Sequence, residues 1–292
     1  MKVVFHADDF GLSQAVNDGI LEAHERGLLG STSVIVAAAA AEEAARATRA
    51  HPTLDVGIHL TLVEERPVLP AERLPTITAG GRFWPKHTAV VARYLTARWR
   101  PAEARAELAA QWQRASELGF ALSHADGHQH LHLLPGVLPA VVADARRHGV
   151  HFVRTRLADP LRRDAGVVRQ GLLLATEALA RVAWAGVPAA DREACVPFVT
   201  VGFLDAGGTL TTDGLLAALD RLRGRAPHAI VEVMLHPGRR DADTVQRYGH
   251  WGYQWERDLA LLLDPVLSEA LARRDVQVTS FRALAEEWSR RG

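Results

Sequence analysis

Apolar residues along this chain fall into short runs that alternate with segments repeating every three to four positions. Lys2 to Ala7 is one such run and predicts a strand. Gln14 to Arg26 follows, with Val16, Ile20, Leu21 and His24 at helical spacing behind Ser13 as an N-cap. Ser33 to Ala37 predicts a second strand, Ala41 to Ala50 a second helix, and Val56 to Leu62 a third strand. Between Glu64 and His87 four prolines and Ala79-Gly80-Gly81 break the rhythm and predict a long loop. Helical spacing resumes from Pro101 to Leu118, then come a strand at Ala121 to Ala125, a helix at Val137 to His148 and a strand at His151 to Thr155. Helices at Thr212 to Arg223 and Arg257 to Arg273 flank a strand at Ala229 to Leu235. A late strand at Val276 to Thr279 precedes a C-terminal helix.

Alternation of this kind favours a parallel sheet joined by crossover helices, closed or nearly closed. About seven strand candidates suggest an α/β barrel with an irregular or missing strand. Nothing repetitive or linker-like divides the chain, so residues 1–292 read as a single domain with insertions near 63–100 and 157–197. Gly166 to Ala190 is strongly apolar and predicts a helix packed on the barrel; a lid facing lipid is the alternative.

Charge narrows the classes further. The 292 residues carry 34 basic and 34 acidic side chains, a net charge of zero, and the only lysines are Lys2 and Lys86. A nucleic-acid binder normally shows a clustered positive excess, so no nucleic-acid partner is expected. The lone Cys195 cannot close an intramolecular disulfide, and Asp8 and Asp9 arrive too early for a signal-peptide core. The expectation is a cytoplasmic protein.

Polar residues gather where strand candidates end, the face on which a parallel barrel carries its active site. His6-Ala7-Asp8-Asp9-Phe10-Gly11 puts two carboxylates on opposite sides of a strand end, one suited to a metal and one to proton transfer. His59 lies in Gly57-Ile58-His59-Leu60, where a hydrogen-bonded core histidine is the alternative to a ligand. His124, Asp126, His128, His130 and His132 share one face if their stretch is extended, a poor pattern for a hydrophobic strand and a good one for a metal or catalytic site. His236 ends a late strand before Pro237-Gly238, placed to protonate a leaving group. One carboxylate, two imidazoles and an open position form the ligand set of a hydrolytic metal site. Neither a Gly-x-Ser-x-Gly elbow nor a phosphate-cradling glycine loop occurs.

At these residues the sequence resembles the YdjC-like carbohydrate deacetylases, relatives of chitooligosaccharide deacetylase. The resemblance is carried by Ala7-Asp8-Asp9-Phe10-Gly11, Gly57-Ile58-His59-Leu60, Asp126-Gly127-His128-Gln129-His130-Leu131-His132 and Leu235-His236-Pro237-Gly238. It implies a variant (β/α) barrel of the glycoside hydrolase/deacetylase type, with Asp9, His59 and His128 as metal ligands, Asp8 as general base and His236 as general acid. The segments 17–29 and 63–70 also look like a branch associated with hopanoid biosynthesis, which implies an N-acetylglucosaminyl hopanoid as substrate. Gly127-His128-Gln129-His130 departs from the consecutive histidines of many relatives, which bears on the shell around His128.

The expected activity is hydrolysis of an N-acetyl group on an amino sugar or glycolipid, with one divalent ion, Mg²⁺ or Zn²⁺, as cofactor. His130, His132, Arg154 and Trp84 are expected to bind substrate or support the ligands, with Arg156 and Trp251 as further candidates. Peripheral contact with the inner membrane and a homodimer stand as expectations beside it. A metal-dependent phosphoesterase or amidohydrolase is the rival enzyme, and a non-catalytic metal- or sugar-binding module the rival class.

Overall fold

A computed structural model describes residues 1–159, 166–205 and 208–290. The first half of the chain alternates as its pattern predicts: β1 (Lys2–Phe10), α1 (Gln14–Arg26), β2 (Ser31–Val34), α2 (Ala41–Ala50) and β3 (Asp55–Leu60). The proline-rich excursion holds a small antiparallel hairpin, β4 (Thr78–Ala79) and β5 (Arg82–Phe83), and then α3 (His87–Leu95). α4 (Pro101–Glu117) leads to β6 (Leu122–Gly127), α5 (Leu138–Arg147) and β7 (Phe152–Val153). α6 (Val167–Ala185), α7 (Ala189–Glu193) and β8 (Val199–Val201) follow, then α8 (Thr212–Arg225), β9 (Ile230–Leu235) and α9 (Ala242–Tyr248). The chain ends with α10 (Trp255–Leu262), α11 (Pro265–Arg273), β10 (Gln277–Thr279) and α12 (Phe281–Ser289). Part of the second expected insertion, residues 160–165, lies outside the described residues.

Seven parallel strands run in the order β7-β6-β3-β2-β1-β9-β8, with β10 added beside the first residues of β1. The sheet curls until its edges meet: Thr200 N donates to Arg156 O at 2.9 Å, and Ala158 N to Thr200 O at 2.7 Å. The expected α/β barrel-like architecture is therefore present.

Local chemistry explains the element boundaries. Ser13 Oγ accepts from Val16 N and starts α1 where predicted. The predicted helix 257–273 is two helices instead, because Asp264 caps a new start and Pro265 cannot continue the old one. β2 begins at Ser31 rather than Ser33, since its polar side chains are satisfied inside the fold: Ser31 donates to Asp55 at 2.8 Å and Thr32 to Ala7 O at 2.8 Å. β8, α3 and α9 are too short or too polar to stand out by periodicity.

Along β1 the two-residue period sorts the layers. Val3, Phe5 and Ala7 join the main apolar core, while Val4 packs with Phe152, Phe198 and Phe281 as an apolar plug inside the curl. Above that plug His6 and Asp8 continue the inward face, so the barrel interior turns from apolar to charged toward the strand ends. No described helix is long and apolar enough to cross a membrane.

Candidate metal centre

The polar layer is built around one buried cation. Arg154, fully buried just after β7, donates to both oxygens of Asp8 at 2.9 and 2.8 Å and to both oxygens of Glu232 at 2.9 and 2.7 Å. Its Nη2 also lies 2.9 Å from Asp126 Oδ2. Burial works against charge on Asp8, but the Arg154 guanidinium, the His59 ring and hydrogen bonds from His6 outweigh it and hold the carboxyl well below the usual range. His6 completes the layer, with Nδ1 3.0 Å from Asp8 and Nε2 2.8 Å from His124 Nε2. Glu232 and His6 belong to this buried layer, and sequence reasoning does not single them out. The inward period of the strand Ala229 to Leu235 is the available signal for Glu232, an acid in an otherwise apolar run.

Asp9 stands one step further up. Its backbone takes a left-handed turn, φ +71°, and the pairing of β1 with β2 shifts register between Ala7 and Phe10. A bulge of this kind re-aims a side chain. A regular strand would send Asp8 and Asp9 to opposite sides, as expected from the sequence. The bulge instead turns both carboxylates toward one site, where they meet different partners.

Asp9 meets the two histidines proposed as ligands. His128 Nδ1 lies 3.0 Å and His59 Nε2 3.3 Å from Asp9 Oδ1, while both Asp9 oxygens are buried without an aligned hydrogen-bond donor. Donor atoms separated by about 3 Å are what bonds of about 2.0–2.1 Å to a shared ion would require. The far nitrogen of His59 donates to Asp126 Oδ1 at 2.7 Å, a contact that leaves Nε2 for a ligand. Burial disfavours a charged imidazole, but Asp126 and Asp8 push His59 up to about 10. Against the same burial, Asp9 pushes His128 up to about 9. The chemistry of this pocket calls for positive charge between these groups, and a divalent cation fits it. A second cluster, His6 with Asp8 and Asp126, already has its cation in Arg154.

The histidine run is not extended as expected. β6 ends at Gly127, and His128 to Leu133 form a tight 3-10 turn with left-handed Gln129 and His130, φ +49° and +57°. His124 and Asp126 do share the inward face of β6, but the turn sends the later rings apart. His130 borders the cavity beside Phe203, with ring centres 5.2 Å apart. His132 turns back and its Nε2 contacts Arg154 O at 2.8 Å, so it braces the backbone that carries Arg154. Gly127 permits this: a Cβ there would come within 2.6 Å of His132 Nδ1.

Above the cluster opens a cavity of about 490 Å³. Asp8, His59, His128 and His236 border its polar end, together with Trp251 and Tyr253. His236 Nε2 lies 4.0 Å from Asp8 Oδ2, its backbone N donates to Asp258, and Tyr253 covers its ring at 4.1 Å. Leu131, Leu133, Leu134, Leu172 and Leu179 form an apolar wall. Trp84 is not among the lining residues: its indole donates to Thr76 O at 3.2 Å and the Arg93 guanidinium covers its ring. Arg156 likewise does not border the cavity.

The profile of the YdjC-like protein family matches residues 2–273. A carbohydrate deacetylase of Vibrio parahaemolyticus is 31% identical over 287 residues, covering 97% of this chain and 96% of its own. A carbohydrate deacetylase of Geobacillus stearothermophilus is 31% identical over 280 residues, covering 96% of each chain. The crystal structure of an Enterococcus faecalis protein described as a cellobiose-phosphate cleavage protein superposes with a TM-score of 0.75 at 23% identity, covering 97% of this chain and 98% of that one. That likeness shows a shared fold.

Proposed function

The chain belongs to the YdjC-like family, and from that premise we propose that it is a metal-dependent carbohydrate deacetylase, hydrolysing the N-acetyl group of an amino sugar to acetate and a free amine. The observation that carries this reading is the convergence of Asp9, His59 and His128 beside the clamped carboxylate of Asp8 at the floor of a sugar-sized cavity. The names of its relatives give the reaction class.

Asp9, His59 and His128 would hold one divalent ion, and two imidazoles with one carboxylate suit Zn²⁺ better than Mg²⁺ on donor softness. The chemistry such an ion supplies is polarisation of a carbonyl and activation of water. Asp8, kept ionised and fixed by Arg154, takes the proton from the attacking water. His236, whose Nε2 lies 4.0 Å from Asp8 Oδ2 at the cavity edge, donates a proton to the departing amine. Trp251 and Tyr253 offer apolar ring faces on which a sugar stacks.

The leucine wall supports a finer reading, in which the sugar carries an apolar aglycone, as an N-acetylglucosaminyl hopanoid does. α6 contributes to that wall while leaving Val167 and Val168 each 86% exposed at its start. Leu173, by contrast, is buried against Leu157 and Leu204, so any lipid-facing surface of this helix excludes it.

Zinc-loaded protein incubated with N-acetylglucosaminyl lipids and with chitooligosaccharides should release acetate, and mass spectrometry should show the loss of one acetyl group. Intact substrates with phosphate release from model esters would replace this reading by the phosphoesterase one.

A further inference from the structure

Each proposed ligand histidine has a second ring nitrogen, and the partner of that nitrogen decides which tautomer the ring adopts. For His59 the partner is Asp126. For His128 it is a residue outside all four sequence motifs. Glu64, at the start of the excursion after β3, places Oε2 3.8 Å from His128 Nε2. That oxygen is buried and has no hydrogen-bond partner, while Oε1 accepts from His250 Nε2 at 2.9 Å.

The backbone is committed to this placement. Glu64 adopts a left-handed conformation, φ +66°, uncommon for a residue with a long side chain. Its N donates to Trp84 O at 3.0 Å, and its O accepts from Arg82 Nε at 3.1 Å, so the β4–β5 hairpin holds the turn from both sides. The proline-rich excursion thereby pins one carboxylate against a ligand ring. Trp84 takes part through its main chain.

We propose that Glu64 is a positioning residue for His128: its buried carboxylate, 3.8 Å from Nε2, favours the ring proton on that nitrogen and leaves Nδ1 free to face Asp9 and a metal ion. The inference rests on the metal centre described above. Each proposed ligand imidazole then has a carboxylate behind it, Asp126 hydrogen-bonded to His59 at 2.7 Å and Glu64 at 3.8 Å from His128, and partners of this kind are worth about 10- to 100-fold in metal affinity.

The experiment compares wild-type protein with Glu64→Gln and Glu64→Asp, using Zn²⁺ alone as probe in competition titrations and ¹⁵N NMR at about pH 10, above the value near 9 at which the His128 ring becomes neutral, to read its tautomer in metal-free protein. Glu64→Gln should weaken Zn²⁺ binding by about 10- to 100-fold, shift His128 away from the Nε2-protonated form and lower kcat more than it changes KM. Glu64→Asp should recover part of the affinity, which a variant that simply misfolds cannot do. Wild-type affinity and an unchanged tautomer in Glu64→Gln, or an effect confined to KM, would overturn the role and make Glu64 a sugar contact instead. Failure of the wild-type protein to bind Zn²⁺ would overturn the metal centre, and this role with it.

Discussion

Arg154 holds Asp8 through two hydrogen bonds, 2.9 Å from Nη1 and 2.8 Å from Nη2, with the guanidinium fully buried and the carboxylate at the edge of the cavity. Paired donors of this kind fix both the position and the plane of a carboxylate. The clamp supports the proposed role of Asp8 as an oriented base rather than a further ligand. Asp8→Asn should keep Zn²⁺ affinity within about threefold of wild type and lower kcat by about 10²- to 10⁴-fold, the usual share of a general base. Titration of bound zinc beside acetate release separates the two effects, and full turnover by this variant would remove Asp8 from the mechanism.

Arg154 also carries a structural load. Its guanidinium lies among Asp8, Asp126 and Glu232, and losing it leaves three buried carboxylates without their cation. Removing one partner from a buried charge network costs about 3–5 kcal/mol. Arg154→Met, which keeps much of the side-chain volume, should lower the unfolding free energy by that order in urea denaturation at neutral pH. A loss below about 1 kcal/mol would show that the carboxylates find protons or water instead.

The three converging donors make the metal itself testable. Asp9→Ala, His59→Ala and His128→Ala should each remove stoichiometric zinc, read by elemental analysis after dialysis, and abolish acetate release. Chelation of wild-type protein should abolish activity in the same way, and added Zn²⁺ should restore it. Activity that survives chelator together with verified loss of metal would leave the deacetylase reading without its proposed cofactor.

Most of the barrel was legible because its signals are local. Ser13, Pro101 and the alternation of apolar runs placed α1, α4 and the early strands within a few residues. What escaped depended on contacts between distant segments. Nothing near Asp8-Asp9 announces the bulge that turns both carboxylates toward one site. The two-residue period of an extended strand mispredicts the run after Gly127, because left-handed Gln129 and His130 turn the chain and scatter the rings. Glu64 was hidden in a loop defined only by its prolines, since its partner His128 lies 64 positions away. Asp8, Asp9, His59, His128 and His236 could be nominated singly, but only the folded sheet gives the distances between them.

A loop bordering the cavity carries a pH dependence. Asp159 accepts hydrogen bonds from the backbone N of Gly202 and Phe203, at 2.8 and 3.1 Å, and so fixes the turn that carries Phe203 over His130. Burial raises the carboxyl from 3.8 to about 6, the backbone donors only partly oppose this, and the charge of Asp205 adds to it. The folded protein thus binds this proton more tightly than the unfolded chain does. The group imposes no penalty below pH 3.8; the penalty grows as pH rises and is complete above about pH 6. A rise from 3.8 to about 6 corresponds to about 3 kcal/mol. Asp159→Asn cannot ionise, so its unfolding free energy relative to wild type should rise by about that amount between pH 4 and about pH 7. Urea unfolding of both proteins across this window measures the difference, with all other titrating groups held in common. A difference that stays flat with pH would show that Asp159 ionises in the folded protein as freely as in the unfolded chain.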